Sequence, residues 1–416
     1  MKKICMLIAC FLMLSGCDLD GILPPIGELN NPEPEIITEQ IDQDEPVEYN
    51  APQGPENQIY NFMDGLLVDS DENACISPLS FKLALAMAYN GAQGDAAETL
   101  AAMFDVSPIT MNAWAADFLA RAKGYDGKKG NESTPPTPEL LIANSYWMRS
   151  GNERYISSDF SDAASANYNA KKGTFVRIPD PINDWVSGAT KSKIDDIIEE
   201  IDTYALLYLI NALYFRGNWI SEFDKGDMEP CEFTNIDGEK VEKSMLIGSA
   251  DAYIEEPGLA GVTKNLHGGF TFTAVMPESN AAVPLERIIA AMEAADESYT
   301  SIILTIPKFA FETTIDFREG NQPEFDALFA INGMDGALAE NAKLDYLFIS
   351  GIFHKTRVAF AEKGIDTTTA AVYVAEPSGA IAPEPKEIGI VFNRPFYFVL
   401  TDKNGEAILF GKVTQL

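Results

Sequence analysis

From Ala205 to Phe215 the chain runs for eleven residues with a single polar side chain, Asn211, among apolar ones. Successive side chains of a strand point to opposite faces, so an apolar residue at nearly every position means that both faces are covered. The run therefore reads as a strand buried on both sides, and it demands a layered fold with protein packed above and below a sheet. At 416 residues, 46% of them hydrophobic, the chain can bury such a core. The neighbouring apolar segments alternate between two periods. Ser77-Pro78, followed by Leu79–Tyr89 and Asn90-Gly91, reads as a helix with an N-cap, a first-turn proline and a glycine stop. Leu140–Trp147, Ile302–Ile306, Phe309–Phe311 and Val391–Leu400 read as strands, the last of them buried. Two stretches, Lys123–Pro138 and Gly364–Gly389, are low in pattern and read as loops, and there is no internal repeat.

The N-terminus predicts export. Lys2 and Lys3 precede an apolar run from Ile4 to Leu14, too short to span a bilayer but suited to a signal peptide. It ends in Leu14-Ser15-Gly16-Cys17, which resembles the lipobox of bacterial lipoproteins and implies cleavage after residue 16 and lipidation of Cys17. The expected product is tethered to the cell envelope or cell surface, or secreted if the lipobox is not used. Residues 17–57 follow as a tether: from Asp18 to Asn57 there are eleven acidic residues, seven prolines and no Lys or Arg. Such a segment repels itself and cannot bury a core.

The net charge is −33, and −24 of it falls on residues 58–416, so the expected folded domain is acidic as well. That excludes nucleic acid, whose phosphates need clustered cations, and disfavours adsorption to anionic lipid, leaving membrane contact to the anchor alone. Cys5 and Cys10 leave with the signal and Cys17 carries lipid, so only Cys75 and Cys231 remain in the domain. One pair in so long a chain is no disulfide framework, and both read as small, inert core residues.

A catalytic constellation is missing. The chain has two histidines, His267 and His354, and no Gly-x-Ser-x-Gly elbow, zinc-helix histidine pair, P-loop or dinucleotide fingerprint. The sequence thus predicts neither an enzyme nor a metal or cofactor. His267 sits in a turn-like Asn265-Leu266-His267-Gly268-Gly269. His354 shares strand parity with Thr356, Val358 and Phe360, so its imidazole is expected to face inward, where it must hydrogen-bond. Asn211 poses the same problem, and the two suggest a shared polar network.

The run Ile390-Val391-Phe392-Asn393-Arg394-Pro395-Phe396-Tyr397-Phe398-Val399-Leu400 resembles the C-terminal signature of the serpins, a family of serine protease inhibitors. Other segments resemble the same family in the same order. They are Asn73–Ser80 running into Ala84–Met87 and Gly91–Gly94, Ile182–Val186 with Thr190 and Lys193-Ile194, Asn211–Trp219, Ile306–Phe309 and His354-Lys355. The resemblance covers residues 58–416. It implies a mixed α/β fold with three β-sheets, eight or nine helices and an exposed reactive loop. It also implies that Ser77, Ser80, Asn211 and His354 form a hydrogen-bonded "shutter" under the main sheet, with Trp219 beside the "breach" where that sheet opens.

In such a protein the loop is cut by the target protease and slides into the main sheet as a new strand. The acylated protease is dragged along and trapped. The loop would begin at Glu362-Lys363-Gly364, with Ile365, Thr367, Thr369 and Ala371 along the inward face of its hinge. This part can be checked from the residues. The odd positions from Ile365 to Ala375 are uncharged and both charges, Asp366 and Glu376, fall on even positions, so one face can be buried without burying a charge. Roughly ten new ladder bonds at about 0.5–1.5 kcal/mol each would drive insertion by a sum on the order of 10 kcal/mol. Counting sixteen residues from Glu362, as the family implies, places the cut after Ser378 and before Gly379. A small residue preceded by Pro377 suits elastase-like or subtilisin-like pockets. The expected partner is a serine protease, or a papain-like cysteine protease, and the expected state a monomer. The alternative is a non-inhibitory carrier or binding protein, since the Thr367-Thr368-Thr369 run replaces the usual alanines and Ile365 is bulky for the first hinge position.

Overall fold

The computed structural model describes residues 60–416 except 61–62, 65–66, 68–70, 93, 132, 224–227, 280–281, 300, 318–348 and 367–386. In chain order come β1 (Ala74–Ile76), α1 (Pro78–Tyr89), α2 (Gly94–Phe104), α3 (Pro108–Ala122), β2 (Glu139–Arg149), α4 (Ser158–Tyr168), β3 (Lys171–Phe175), α5 (Asp180–Ala189) and β4 (Leu207–Asn218). Next are β5 (Met228–Thr234), β6 (Lys240–Ser249), β7 (Ala252–Glu256), β8 (Leu259–Leu266), β9 (Phe270–Pro277), α6 (Leu285–Glu293), β10 (Ser301–Pro307) and β11 (Phe309–Phe317). The C-terminal part supplies β12 (Ile349–Ala361), β13 (Gly364–Ile365), β14 (Glu387–Val391), β15 (Phe396–Thr401) and β16 (Ala407–Val413). The class is mixed α/β with three sheets. Six α-helices are delimited among the described residues against the eight or nine expected; Tyr60, Met63, Asp64 and Leu67 are helical as well, and residues 318–348 lie outside the described residues.

The main sheet has the order β11-β12-β13-β4-β2-β3, the second β1-β16-β15-β9-β8-β7 and the third β14-β10-β6-β5. The apolar run sits where its composition requires. Leu207, Leu209, Leu213 and Phe215 of β4 join the large core that contains all the apolar residues of α1. Tyr208, Ile210, Ala212 and Tyr214 join a second core with Ile182 and Val186 of α5 and with Ile194, Ile197 and Ile198 of the linker behind it. With a core on each face, the one polar side chain of the run, Asn211, is buried and needs a hydrogen-bond partner within the protein.

All twelve residues of α1 are buried, because it packs on β4 of the main sheet and on β16 of the second. A helix enclosed on every side has no use for amphipathicity, and its sequence carries none. Its N-terminus is as expected: Ser77 caps it by accepting from the Ser80 N–H, with Pro78 in the first turn. The expected strand Val391–Leu400 is two strands in different sheets. β14 ends at Val391 and β15 starts at Phe396, because Pro395 has no N–H to donate and the Asn393-Arg394 turn redirects the chain. Of the two cysteines, Cys75 is buried but Cys231, on β5, is only half-buried, and neither is paired. Of the loop from Gly364, residues 367–386 lie outside the described residues.

Candidate functional site

The site is the seam of the main sheet between β4 and β12. These strands pair in parallel from Ile349–Leu207 to Lys355–Ala212, with His354 opposite Asn211. Direct pairing ends there. Above it β13 enters between them and pairs antiparallel with both: Ile365 lies opposite Gly217 and Phe360, and Gly364 opposite Asn218 and Ala361. Gly364 has φ +151° and a Cβ on it would run into the Gly217 carbonyl, so glycine is required. Between the two kinds of pairing, Leu213–Arg216 of β4 and Thr356–Ala359 of β12 face each other across a slot without pairing.

Beneath the seam the polar residues divide into two strings, one at each end of α1. At its N-terminus the Ser77 N–H donates to His354 Nε2 at 3.0 Å, and Ser77 Oγ accepts from the Ser80 N–H at 3.1 Å. Burial holds the His354 imidazole far below its ordinary value, at about 3, so it is neutral and Nε2 is free to accept. Thr356, one pleat along, donates to the Cys75 carbonyl, and the Cys75 N–H donates to Thr313 at 2.9 Å, tying β1 to β11 and β12. At the other end Asn211 donates to Asn144, directly opposite on β2. Asn144 donates to the Tyr168 carbonyl at 2.9 Å and the Tyr168 hydroxyl to Asn112 at 2.8 Å; Asn112 donates to Asn90, the C-cap of α1, at 2.7 Å.

The two strings meet at the seam without joining. His354 Nδ1, Asn211 Oδ1 and Ser80 Oγ are buried with no hydrogen-bond partner among the described residues. The sequence suggested a single network through His354 and Asn211. The structure puts them side by side on neighbouring strands but bonds each elsewhere. Asn144 was missed, although a polar residue at that place in the apolar run Leu140–Trp147 was the same signal that marked Asn211.

At the upper end of the seam Trp219 packs against Phe223, Phe272 and Phe360, with ring centroids 5.1–6.3 Å apart. Its indole N–H donates to the Ala361 carbonyl at 3.0 Å and its backbone N–H to the Lys363 carbonyl at 3.0 Å, so it holds both the end of β12 and the approach to β13. Glu362 pairs with Lys308 at 2.7 Å, and its carbonyl accepts from the Phe223 N–H. Lys264 is buried beside these rings, 4.6 Å from the Phe223 centroid, and donates to the Ser249 carbonyl at 2.6 Å. Desolvation lowers its ammonium to about 8. Nothing in the residue pattern marks Lys264, since a lysine in a strand usually points to water.

Ile365 is buried in the large core, facing α1, whereas Asp366 lies on the other face of the sheet near Tyr214 and Arg357. Thr367, Thr369, Ala371, Ser378 and Gly379 lie outside the described residues, as does Cys17. His267 follows β8 in a turn, and its N–H donates to the Asn218 carbonyl. Among the described residues no group of acidic, His or Cys side chains could hold a metal ion.

The seam is thus closed below by direct pairing of β4 with β12 and separated above by the two residues of β13. Comparison with known proteins decides the family. The family profile described as serpin (serine protease inhibitor) matches residues 60–416. The chain is a serpin. It is 25% identical over 398 residues to neuroserpin of Mus musculus, covering 85% of this chain and 88% of that one. Iripin-8 of Ixodes ricinus is 26% identical over 386 residues, covering 86% and 91%. The crystal structure of the thermophilic serpin tengpin in the native state superposes with a TM-score of 0.69 at 25% identity, covering 88% of this chain and 96% of that one. As a serpin it belongs with protease inhibitors rather than with enzymes, and a protease is its partner.

Proposed function

We propose that this serpin inhibits a serine protease as a suicide substrate: the loop is cut after Ser378, inserts between β4 and β12, and carries the acyl-enzyme away before it can hydrolyse. The observation that supports this reading is the position of Ile365. The first hinge residue is already buried on the core face, opposite Gly217 and Phe360, and a continued strand keeps every odd residue on that face. Bulky as it is for this position, the Ile365 side chain is fully buried in the large core. Counting on, Ala371 would pass between Asn211 and His354, parting the two strings that hold α1. Elastase-like and subtilisin-like enzymes are the proposed targets, with papain-like cysteine proteases a second class. The protein is proposed to act as a monomer, tethered to the cell envelope or surface through Cys17 and the acidic segment that follows.

The test is incubation of the protein with elastase, subtilisin, trypsin and papain, followed by denaturing electrophoresis. A covalent band at the summed mass with a serine protease is the expected result. Cleaved product alone from all four would overturn inhibition in favour of a carrier role. Labelling with radioactive palmitate in a bacterial host, with and without Cys17→Ser, tests the anchor.

A further inference from the structure

Ile365 ends β13, and at Asp366 the backbone turns left-handed, with φ +48°. Asp and Asn visit that region routinely, whereas other L side chains resist it and glycine adopts it freely. Two side-chain contacts hold the turn: the Tyr214 hydroxyl donates to one carboxylate oxygen and Arg357 Nε lies 3.8 Å from the other, while the Asp366 N–H already donates at 2.7 Å to the Ala359 carbonyl, the partner that the register of β13 gives it. Tyr214 belongs to β4 and Arg357 to β12. One carboxylate thus bridges both lips of the slot just below the last inserted residue.

The register of β13 fixes what insertion would do to this bridge. Continued as a strand, it sets Asp366 opposite Arg216 and Ala359, and Thr368 opposite Tyr214 and Arg357. Thr368 then takes the space that the carboxylate spans. Both the left-handed turn and the Tyr214 hydrogen bond belong to the uninserted state. Asp366 must become extended, and its carboxylate must pass to Arg216, which now pairs with Glu139 at 3.2 Å.

We propose that Asp366 is a positioning residue that arrests the hinge at two inserted residues and thereby sets the rate of all further insertion. The proposal rests on the reading of the loop as an insertable strand. Asp366 touches no protease; it acts by bridging β4 and β12 and by its backbone conformation.

The experiment cuts the loop of the full chain with an excess of a protease that is not trapped, and follows insertion by stopped-flow tryptophan fluorescence, Trp219 lying against the hinge. Removing the bridge with Tyr214→Phe should speed insertion by about threefold to tenfold, the effect of one ordinary hydrogen bond. The backbone arm has opposite signs. Asp366→Val, which opposes the left-handed turn, should insert faster than Asp366→Ala. Asp366→Gly, which eases it, should insert slower, by about tenfold. Asp366→Asn keeps both the turn and an acceptor for Tyr214, and should stay within about threefold of wild type. A merely structural residue would lower stability without ordering the rates as Val, Ala, Gly. The proposal falls if those three insert at one rate, or if Tyr214→Phe, an isosteric change, leaves the rate of wild type. A cut wild-type protein that gains no thermal stability would instead refute the insertion reading beneath it. A cut wild type that gains stability while the variants keep pace with it refutes only the role of Asp366.

Discussion

The sharpest perturbation of the insertion reading is one negative charge placed on either face of the hinge, as Thr369→Asp and Thr368→Asp. Both residues lie outside the described residues and are placed by counting on from Ile365. Thr369 falls opposite Leu213 and Thr356, both fully buried on the face toward α1, with Phe215 and Val358 along the same face. A carboxylate there has no cation opposite it, and its easiest escape is to be buried protonated. From an ordinary value near 3.9 that costs about 4 kcal/mol at pH 7. If the whole of it stands in the insertion barrier, insertion slows on the order of a thousandfold. Thr368 falls opposite Tyr214 and Arg357, with Lys193 Nζ 5.1 Å from the Tyr214 ring centroid. That face is covered by α5 and its linker rather than open to water, but it carries cations, so a carboxylate there is paired. The assay is the number of inhibitor molecules consumed per protease inactivated, with elastase or subtilisin. Thr369→Asp should turn the protein mainly into a substrate, with partial recovery at pH 5, where protonation costs only about 1.5 kcal/mol. Thr368→Asp should remain an inhibitor. Equal loss in both would refute the parity argument and the insertable strand with it.

Three further expectations follow from the seam. Because burial holds His354 near 3 against an ordinary 6.5, the unfolded chain binds a proton that the fold refuses, so stability is full above pH 6.5 and falls as pH drops toward 3. Melting temperature against pH should show that slope in wild type and a flatter one in His354→Gln; parallel curves would remove His354 from the cause, and at pH 7 His354→Ala should cost about 1–3 kcal/mol through the stranded Ser77 N–H. Lys264 is depressed to about 8 from 10.5, so its burial costs stability below pH 8 and the cost fades between 8 and 10.5. Lys264→Met should therefore melt higher than wild type at pH 7 and lose that advantage by pH 10.5, and a variant that melts lower at both pH values would show that the Ser249 hydrogen bond outweighs desolvation. Gly364→Ala should expel β13 from the slot, because its Cβ meets the Gly217 carbonyl; faster hydrogen exchange at the Trp219 amide, which donates to Lys363, would report it, and unchanged protection would argue that the hinge can shift to accommodate a methyl group.

The amino-acid sequence by itself carried whatever depends on local pattern or on a fixed run of residues. The run Ala205–Phe215 demanded a strand covered on both faces, and it lies between two cores. Ser77-Pro78 marked the start of α1, and the parity of His354 placed its imidazole inside. The ordered motifs named the family. Other features depended on partners far apart in the chain. The break of Val391–Leu400 between two sheets follows from which strand each half finds to pair with, and no periodicity carries that choice. His354 and Asn211 are neighbours across the seam, yet one bonds Ser77 and the other Asn144, because hydrogen-bond geometry selects partners within about 3 Å whatever their spacing in sequence. Lys264 is buried only because Trp219, Phe223 and the Ser249 carbonyl, all from other segments, close around it. The left-handed Asp366 is the same kind of fact: aspartate permits that turn, but only β4 and β12, brought together by the sheet, supply the Tyr214 and Arg357 that hold it.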